Sequence, residues 1–182
     1  MQTGEKRATA GIIQRRRRRL KEAELYHPIC TWLERILKEH YKRMNVRVFD
    51  SHSIRLSKLI SDLGLQTLFP QFNAWDVKVD ITGIISNKTQ GNLALVECKT
   101  KQLTLRDVGQ LLGYSKVVNP ILSILTSPDP PSDPLITLLK DYGRLDVLEY
   151  GPKRRYIRIA RWDTAKNEII PSSILPPGRL LS

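Results

Sequence analysis

The sequence predicts an α/β domain that begins with a helix and carries a mixed central β-sheet flanked by helices. Three observations predict it. Leu25, Ile29, Trp32, Leu33, Ile36 and Leu37 recur at the three-to-four spacing of one buried helical face. Val77, Val79 and Ile81 alternate with Lys78, Asp80 and Thr82, the period-two pattern of a half-buried strand. The run Leu93-Ala94-Leu95-Val96 is apolar throughout, as in a central strand covered on both faces. Helices and strands of both kinds in one short chain predict layers packed around one sheet.

Each element follows in chain order. Residues 1 to about 14 are polar and aperiodic. With the arginine run Arg15, Arg16, Arg17, Arg18 and Arg19, the stretch 1–20 reads as a basic, flexible arm that contacts nucleic-acid phosphates; the alternative is a solvated, partly helical lead-in. The first helix is expected from about Lys21 to Tyr41, with Pro28 marking either its start or a kink. A short strand is expected at Val46 to Phe49, then a helical segment from His52 to Leu68 that Gly64 stops. The strand around Val77 to Thr82 follows. Asn87 to Asn92 reads as the turn into the strand over 93–96. Thr104 with Asp107 resembles a capping box that opens a helix through about Val118, and Pro120 helps to end it. Ile121 to Leu125 reads as a further buried strand, and the Pro-rich segment from Ser127 to Pro134 as a rigid surface loop. A short helix over about 134–142, a strand from Leu145 to Tyr150, and a hairpin through Gly151-Pro152 into Arg154 to Trp162 complete a single domain over 21–166. Residues 167–182 read as an irregular tail.

Composition bounds the function. The 182 residues carry a net charge of +12, which favours a polyanionic partner, nucleic acid before an anionic membrane. The arginine run lacks the apolar face that a lipid-binding helix needs, and no apolar run is long enough for a membrane span. No signal segment opens the chain, and Cys30 and Cys98 form no zinc or iron–sulfur spacing, so a reducing, cytoplasmic location is expected (the host cytoplasm if the chain is viral). Lys101 and the late cluster Lys153, Arg154, Arg155, Arg158 and Arg161 read as phosphate-contacting surface; the alternative is a solvated edge that charge protects from aggregation.

The residues with the most chemistry lie between Asp80 and Tyr114. Glu97 and Lys99 sit two apart at a strand end and share one face, and Cys98 points to the other. Gln110 and Tyr114 sit four apart on the next helix and share one face of it. Carboxylates holding a divalent cation neutralise a scissile phosphate and activate water, and a lysine beside them orients that water, assists its deprotonation or stabilises the pentavalent phosphate. Taken singly, a Glu-x-Lys is usually a surface salt pair and an Asp after a strand valine usually a turn residue.

The series Glu24-Leu25-Tyr26-His27-Pro28, Val79-Asp80-Ile81-Thr82-Gly83, Glu97-Cys98-Lys99 and Gln110-Leu111-Leu112-Gly113-Tyr114 resembles the PD-(D/E)xK nuclease superfamily, and its QxxxY element the RecB-like branch. The likeness covers about residues 22–126. It implies a restriction-endonuclease-like core with Asp80 and Glu97 as ligands of Mg2+ or Mn2+, the Cys98 carbonyl beside them, and Lys99 as the catalytic lysine. Gln110 and Tyr114 would complete the catalytic set. Glu24 would be the acidic residue of the first helix, with His27 as its rival; Asp76 competes with Asp80. Val79 stands where the motif has proline, and the cysteines of the branch's iron–sulfur cluster are absent, so no cluster is expected. His40 and His52 read as surface or capping residues, Trp32 as core, and Trp75 and Trp162 as core before stacking residues.

The expected function is a metal-dependent DNA nuclease. The alternatives are a Holliday-junction resolvase, which needs a dimer, and a non-catalytic nucleic-acid-binding protein of the same fold. The expected partner is DNA, as a single strand, duplex end or branch. A homo-oligomer and a separate helicase or recombination partner stay open, since the chain has no ATPase motif.

Overall fold

The computed structural model describes residues 20–152 and 154–181; Arg15 to Arg19 and Lys153 lie outside them. Helix α1 (Ala23–His40) leads into strand β1 (Asn45–Asp50), the short helix α2 (Leu56–Asp62), strands β2 (Ile81–Ser86) and β3 (Gly91–Cys98), helix α3 (Leu105–Val118) and strand β4 (Leu122–Ser127). Helix α4 (Asp133–Ile136) continues as a π turn, and strands β5 (Glu149–Tyr150), β6 (Arg155–Tyr156), β7 (Arg158–Asp163) and β8 (Glu168–Ile169) complete the order. The main sheet has the order β1-β2-β3-β4-β7-β8. β1, β2 and β3 pair antiparallel, β3, β4 and β7 parallel, and β8 closes the far edge antiparallel. A mixed sheet of this kind needs a crossover between its parallel neighbours, which α3 supplies between β3 and β4.

The sheet separates two apolar layers. On one face Leu25, Ile29, Leu33 and Leu37 of α1 cover Ile81, Ile85, Ala94, Val96 and Ile124. On the other, α2 and α3 cover Ile84, Leu93, Leu95, Leu125 and Ile159. β2, β3 and β4 are therefore buried on both sides, which explains their near-continuous apolar runs. α1 passes through Pro28 without ending there. At α3 the Thr104 N–H donates to Asp107 Oδ2 at 2.8 Å, one half of the expected capping box. Trp32, Trp75 and Trp162 are buried, as expected.

Four elements differ from the sequence reading, each for a hydrogen-bonding reason. The strand begins at Ile81 and not at Val77, because the backbone of 75–80 bonds elsewhere: Leu56 and Ser57 donate to the carbonyls of Val77 and Trp75, and Ser51 to that of Asp80. The segment 52–68 is α-helical only over α2; Gly64, at φ +67°, turns the chain as expected, and Gln66–Leu68 forms a separate 3-10 turn closed by the Phe69 N–H on Gln66 O. Residues 145–148 form a 3-10 turn, so only Glu149–Tyr150 pair with β6, and Arg158 to Asp163 leave the hairpin to join the main sheet beside β4. The end of the chain is less irregular than its prolines suggest: β8 pairs with β7, and Leu175 exchanges hydrogen bonds with Ile159.

Candidate active site

β2 and β3 are antiparallel neighbours with Ile81 opposite Val96, so the residue before β2 lies beside the residue after Val96. Those two residues are Asp80 and Glu97. Both are buried, Glu97 to 3 % exposure, in contrast to the usual place of carboxylates at the surface. Lys99 extends β3 by donating its N–H to Thr126 O of β4 at 2.9 Å. Its side chain shares a face with Glu97, and Nζ lies 2.8 Å from Glu97 Oε1. Gln110, from the second turn of α3, donates Nε2 to the same oxygen at 3.0 Å. Cys98 points the other way, into the α1-side core, as the alternation of a strand requires.

The oxygens of the two carboxylates are used unequally. Asp80 Oδ2 accepts from the backbone N–H of Cys98 at 2.7 Å, and Oδ1 from the Tyr26 hydroxyl at 3.3 Å. Glu97 Oε1 takes both Lys99 and Gln110, whereas Oε2 is buried with no hydrogen-bond partner among the described residues. The Asp80 backbone N–H favours the ionised form of Glu97 but makes no hydrogen bond that satisfies Oε2. An unsatisfied buried carboxylate oxygen is costly and calls for an explanation. Burial raises the pKa of both acids; for Glu97 the charge of Asp80 adds to the rise and Lys99 opposes it. Burial pulls the Lys99 ammonium down, but its bond to Glu97 and the charges of Glu97, Asp80 and Glu22 outweigh that, so its pKa is raised.

The structure thus brings together Asp80, Glu97, Cys98, Lys99 and Gln110. Tyr114 lies one turn beyond Gln110, half-buried against the α3-side core. Lys101 is exposed two residues past Lys99. Glu24 and His27 are exposed on α1 and are not gathered with the pair; two residues are a little over half a helical turn, which puts Glu24 across the helix from Tyr26. Glu22, the N-cap residue of α1, is the acid at this helix end whose charge reaches Tyr26 and Lys99. Asp76 is in an exposed ion pair with Arg55 at 2.7 Å. Arg154, Arg155 and Arg158 line a separate cavity.

Three further contributors were given no role by the sequence reading: Tyr26, although it lies within the first-helix series, and Ser51 and His52, which lie in none. Tyr26 bonds Asp80, and His52 stacks on Tyr26 with centroids 4.9 Å apart while its Nδ1 lies 2.6 Å from Asp50 Oδ1. His52 is therefore next to the site and not merely a surface residue. Ser51 bonds the backbone on either side of Asp80. The spacing of Glu22 and Tyr26, four apart on α1, was the one available sequence signal.

Among the described residues, no group of three or more His, Cys, Asp or Glu side chains is gathered to hold a metal ion. What the site offers is a carboxylate pair, and beside it the Cys98 carbonyl: in an extended strand the C=O of a residue points to the same side as its N–H, here toward Asp80. Mg2+ is usually held by one or two carboxylates with its remaining positions filled by water and substrate oxygens, so this donor set and the unsatisfied Oε2 fit such an ion. Compared with known proteins, the chain matches no family model, no curated protein and no solved structure. Among the described residues, no helix is long and apolar enough to cross a membrane.

Proposed function

We propose that this chain is a divalent-metal-dependent DNA nuclease with a restriction-endonuclease-like core. The observation that carries the reading is Glu97: a buried carboxylate, fixed through one oxygen by Lys99 and Gln110 and unsatisfied at the other, beside a second buried carboxylate. A cation is the partner that such a pair lacks, and a charge of +12 supplies the attraction for a polyanionic substrate.

Asp80, Glu97 and the Cys98 carbonyl would hold the ion. Bound there, Mg2+ or Mn2+ would neutralise charge at the scissile phosphate and lower the pKa of the attacking water. Gln110 fixes the Glu97 carboxylate and leaves its second oxygen for that purpose. Lys99 has its pKa lowered by burial but raised on balance by its bond to Glu97 and the nearby carboxylate charges, which favours a cationic role: stabilising the charge that builds on the phosphate. Tyr26 and the Cys98 N–H hold Asp80 in one orientation. Tyr114, one turn beyond Gln110 on α3 and half-buried, would present the exposed part of its ring to a base or phosphate.

Linear, circular, single-stranded and branched DNAs, each with Mg2+ and with Mn2+, test the proposal. Cleavage is expected on at least one form. Asp80→Ala, Glu97→Ala and Lys99→Ala should each lower its rate by about 10²–10³ or more, with circular dichroism unchanged. Variants that cut as well as the parent would refute the assignment. DNA binding with no cleavage and no metal binding selects the non-catalytic reading; a dimer that cuts only four-way junctions selects the resolvase.

A further inference from the structure

A second cavity, of about 120 Å3, opens where the β5–β6 hairpin meets the start of β4. Arg154, Arg155 and Arg158 line it with Tyr150, Tyr156 and Leu180, and no carboxylate is among its lining residues. Among the described residues, none of the three arginines forms an ion pair.

Two of them are anchored, in both cases through Nη1 and by neutral oxygens. Arg155 Nη1 donates to Asn119 O, Asn119 Oδ1 and Pro120 O at 3.3, 3.1 and 3.1 Å. Arg158 Nη1 donates to Pro176 O at 2.7 Å. Neutral acceptors hold a guanidinium in place without cancelling its charge, and they leave Nε and Nη2, the other donors of the planar fork, for a ligand. Side chains fixed beforehand lose less entropy when they bind. Burial raises the pKa of Tyr150, at the cavity wall, while the charges of Arg155 and Arg158 lower it, so the field of both cations reaches inside. Arg154 makes no hydrogen bond among the described residues and stands at φ +52°, a left-handed position that glycine takes without strain. A purely stapling role accounts for the Nη1 bonds. It does not account for the cavity or for Arg154.

The cavity is separate from the carboxylates. Leu122 is level with Ala94, three residues before Glu97 and so about 10 Å along β3. Arg158 pairs with Ile124 on the α1 face of the sheet, whereas Glu97 alternates to the other face. Tyr41 senses the charge of Arg155, which places the exposed Lys42 and Arg43 toward the same end.

We propose that Arg154, Arg155 and Arg158 form a binding site for one phosphate group, distinct from the carboxylate site. The proposal does not rest on the nuclease reading. The phosphate belongs either to a nucleic-acid strand or to a small phosphate ester, since the recognising chemistry is the same.

Amide chemical-shift mapping of the full chain tests it, in EDTA and with inorganic phosphate replacing chloride at constant ionic strength. Saturable shifts centred on residues 154–158, with Leu180, are expected. Shifts absent there, or spread evenly over the basic surface, overturn the proposal. Arg154→Gln and Arg158→Gln should each weaken phosphate binding roughly tenfold or more; if Arg158→Gln unfolds, Arg154→Gln decides alone, because its side chain anchors nothing. Unchanged binding in folded variants also overturns it. The source is then read from competition between a 5′-phosphorylated oligonucleotide, the same strand with a 5′-hydroxyl, and a nucleoside monophosphate. Equal competition by both strands identifies a backbone phosphate. Competition by the phosphorylated strand alone identifies a strand end, and by the monophosphate alone a small ester.

Discussion

Ser51 makes three hydrogen bonds that fix the turn carrying Asp80. Its N–H donates to Asp80 O at 2.8 Å, and its hydroxyl lies 2.8 Å from both Val79 O and Thr82 Oγ1. The side chain is 1 % exposed, so water cannot replace it. Ser51→Ala should therefore destabilise the protein by about 1–3 kcal/mol, the range for stranding a buried polar group, and weaken Mg2+ binding because Asp80 loses its support. Chemical denaturation and a metal titration measure the two effects; a variant as stable as the parent would mean that Thr82 and Val79 find other partners. Ser51 illustrates what the sequence hid. Glu97, Lys99 and Gln110 were legible because strand alternation and helical spacing act over neighbours in the chain; Asp80 stood out as a candidate although the strand expected to carry it begins one residue later, at Ile81. Ser51, Tyr26 and His52 reach the site only through the packing of β1 and α1 against the start of β2, which no local pattern encodes. Glu24 and His27, the two first-helix candidates, are exposed, because Leu25, Ile29 and Leu33 decide which side of α1 meets the sheet; Glu22 is an α1-end acid whose charge reaches Tyr26.

At the scale of elements, α1 approaches the sheet over Gly83, in the middle of β2. A Cβ added there would meet Leu37 Cδ1 at 2.8 Å, Ala94 Cβ at 3.3 Å and Leu33 Cδ2 at 3.5 Å. Leu33 and Leu37 are fully buried and have little room to yield. Gly83→Val should thus overpack the layer and cost about 1–3 kcal/mol, and because α1 carries Tyr26 it should also disturb Asp80. Thermal unfolding together with Mg2+ affinity tests this; a loss of stability with no change in metal binding would show that α1 shifts as a unit without moving Tyr26. α1, β3, α3 and β4 were legible because each has a long, regular apolar pattern. The stretch 75–80 alternates as a strand would, yet β1 ends at Asp50 and gives it no partner to pair with. Leu145 to Tyr150 likewise has strand-forming residues, but the turn at Gly143 and the Arg144–Asp146 pair bend its first half into a 3-10 turn. Pairing availability, a tertiary property, decided the first, and local turn chemistry the second.

The molecule as a whole places two buried carboxylates in a chain that otherwise carries strong positive charge. Burial raises the pKa of Asp80 and of Glu97. Without metal, the native state therefore binds more protons than the unfolded chain between the ordinary carboxylate pKa, about 4, and the raised native values. The stability these two groups contribute is fully present below the unfolded value and is lost as pH rises through the native values. A bound cation reverses the preference, because it needs the ionised oxygens and must displace protons to bind. The gap in melting temperature between saturating Mg2+ and EDTA should consequently be small near pH 4 and widen through the acid range to about pH 8, where a ligand at 100 times its dissociation constant contributes about 2.7 kcal/mol, or roughly 2–4 °C per kcal/mol for a chain of this size. Taking the gap cancels groups that titrate alike in both conditions, such as the exposed Asp146 beside Arg144, whose lowered pKa pulls the other way. Scanning calorimetry of the parent and of Asp80→Ala measures it. The gap should vanish in the variant, and a gap in the parent that is absent, or flat with pH, would show that the pair does not hold the ion.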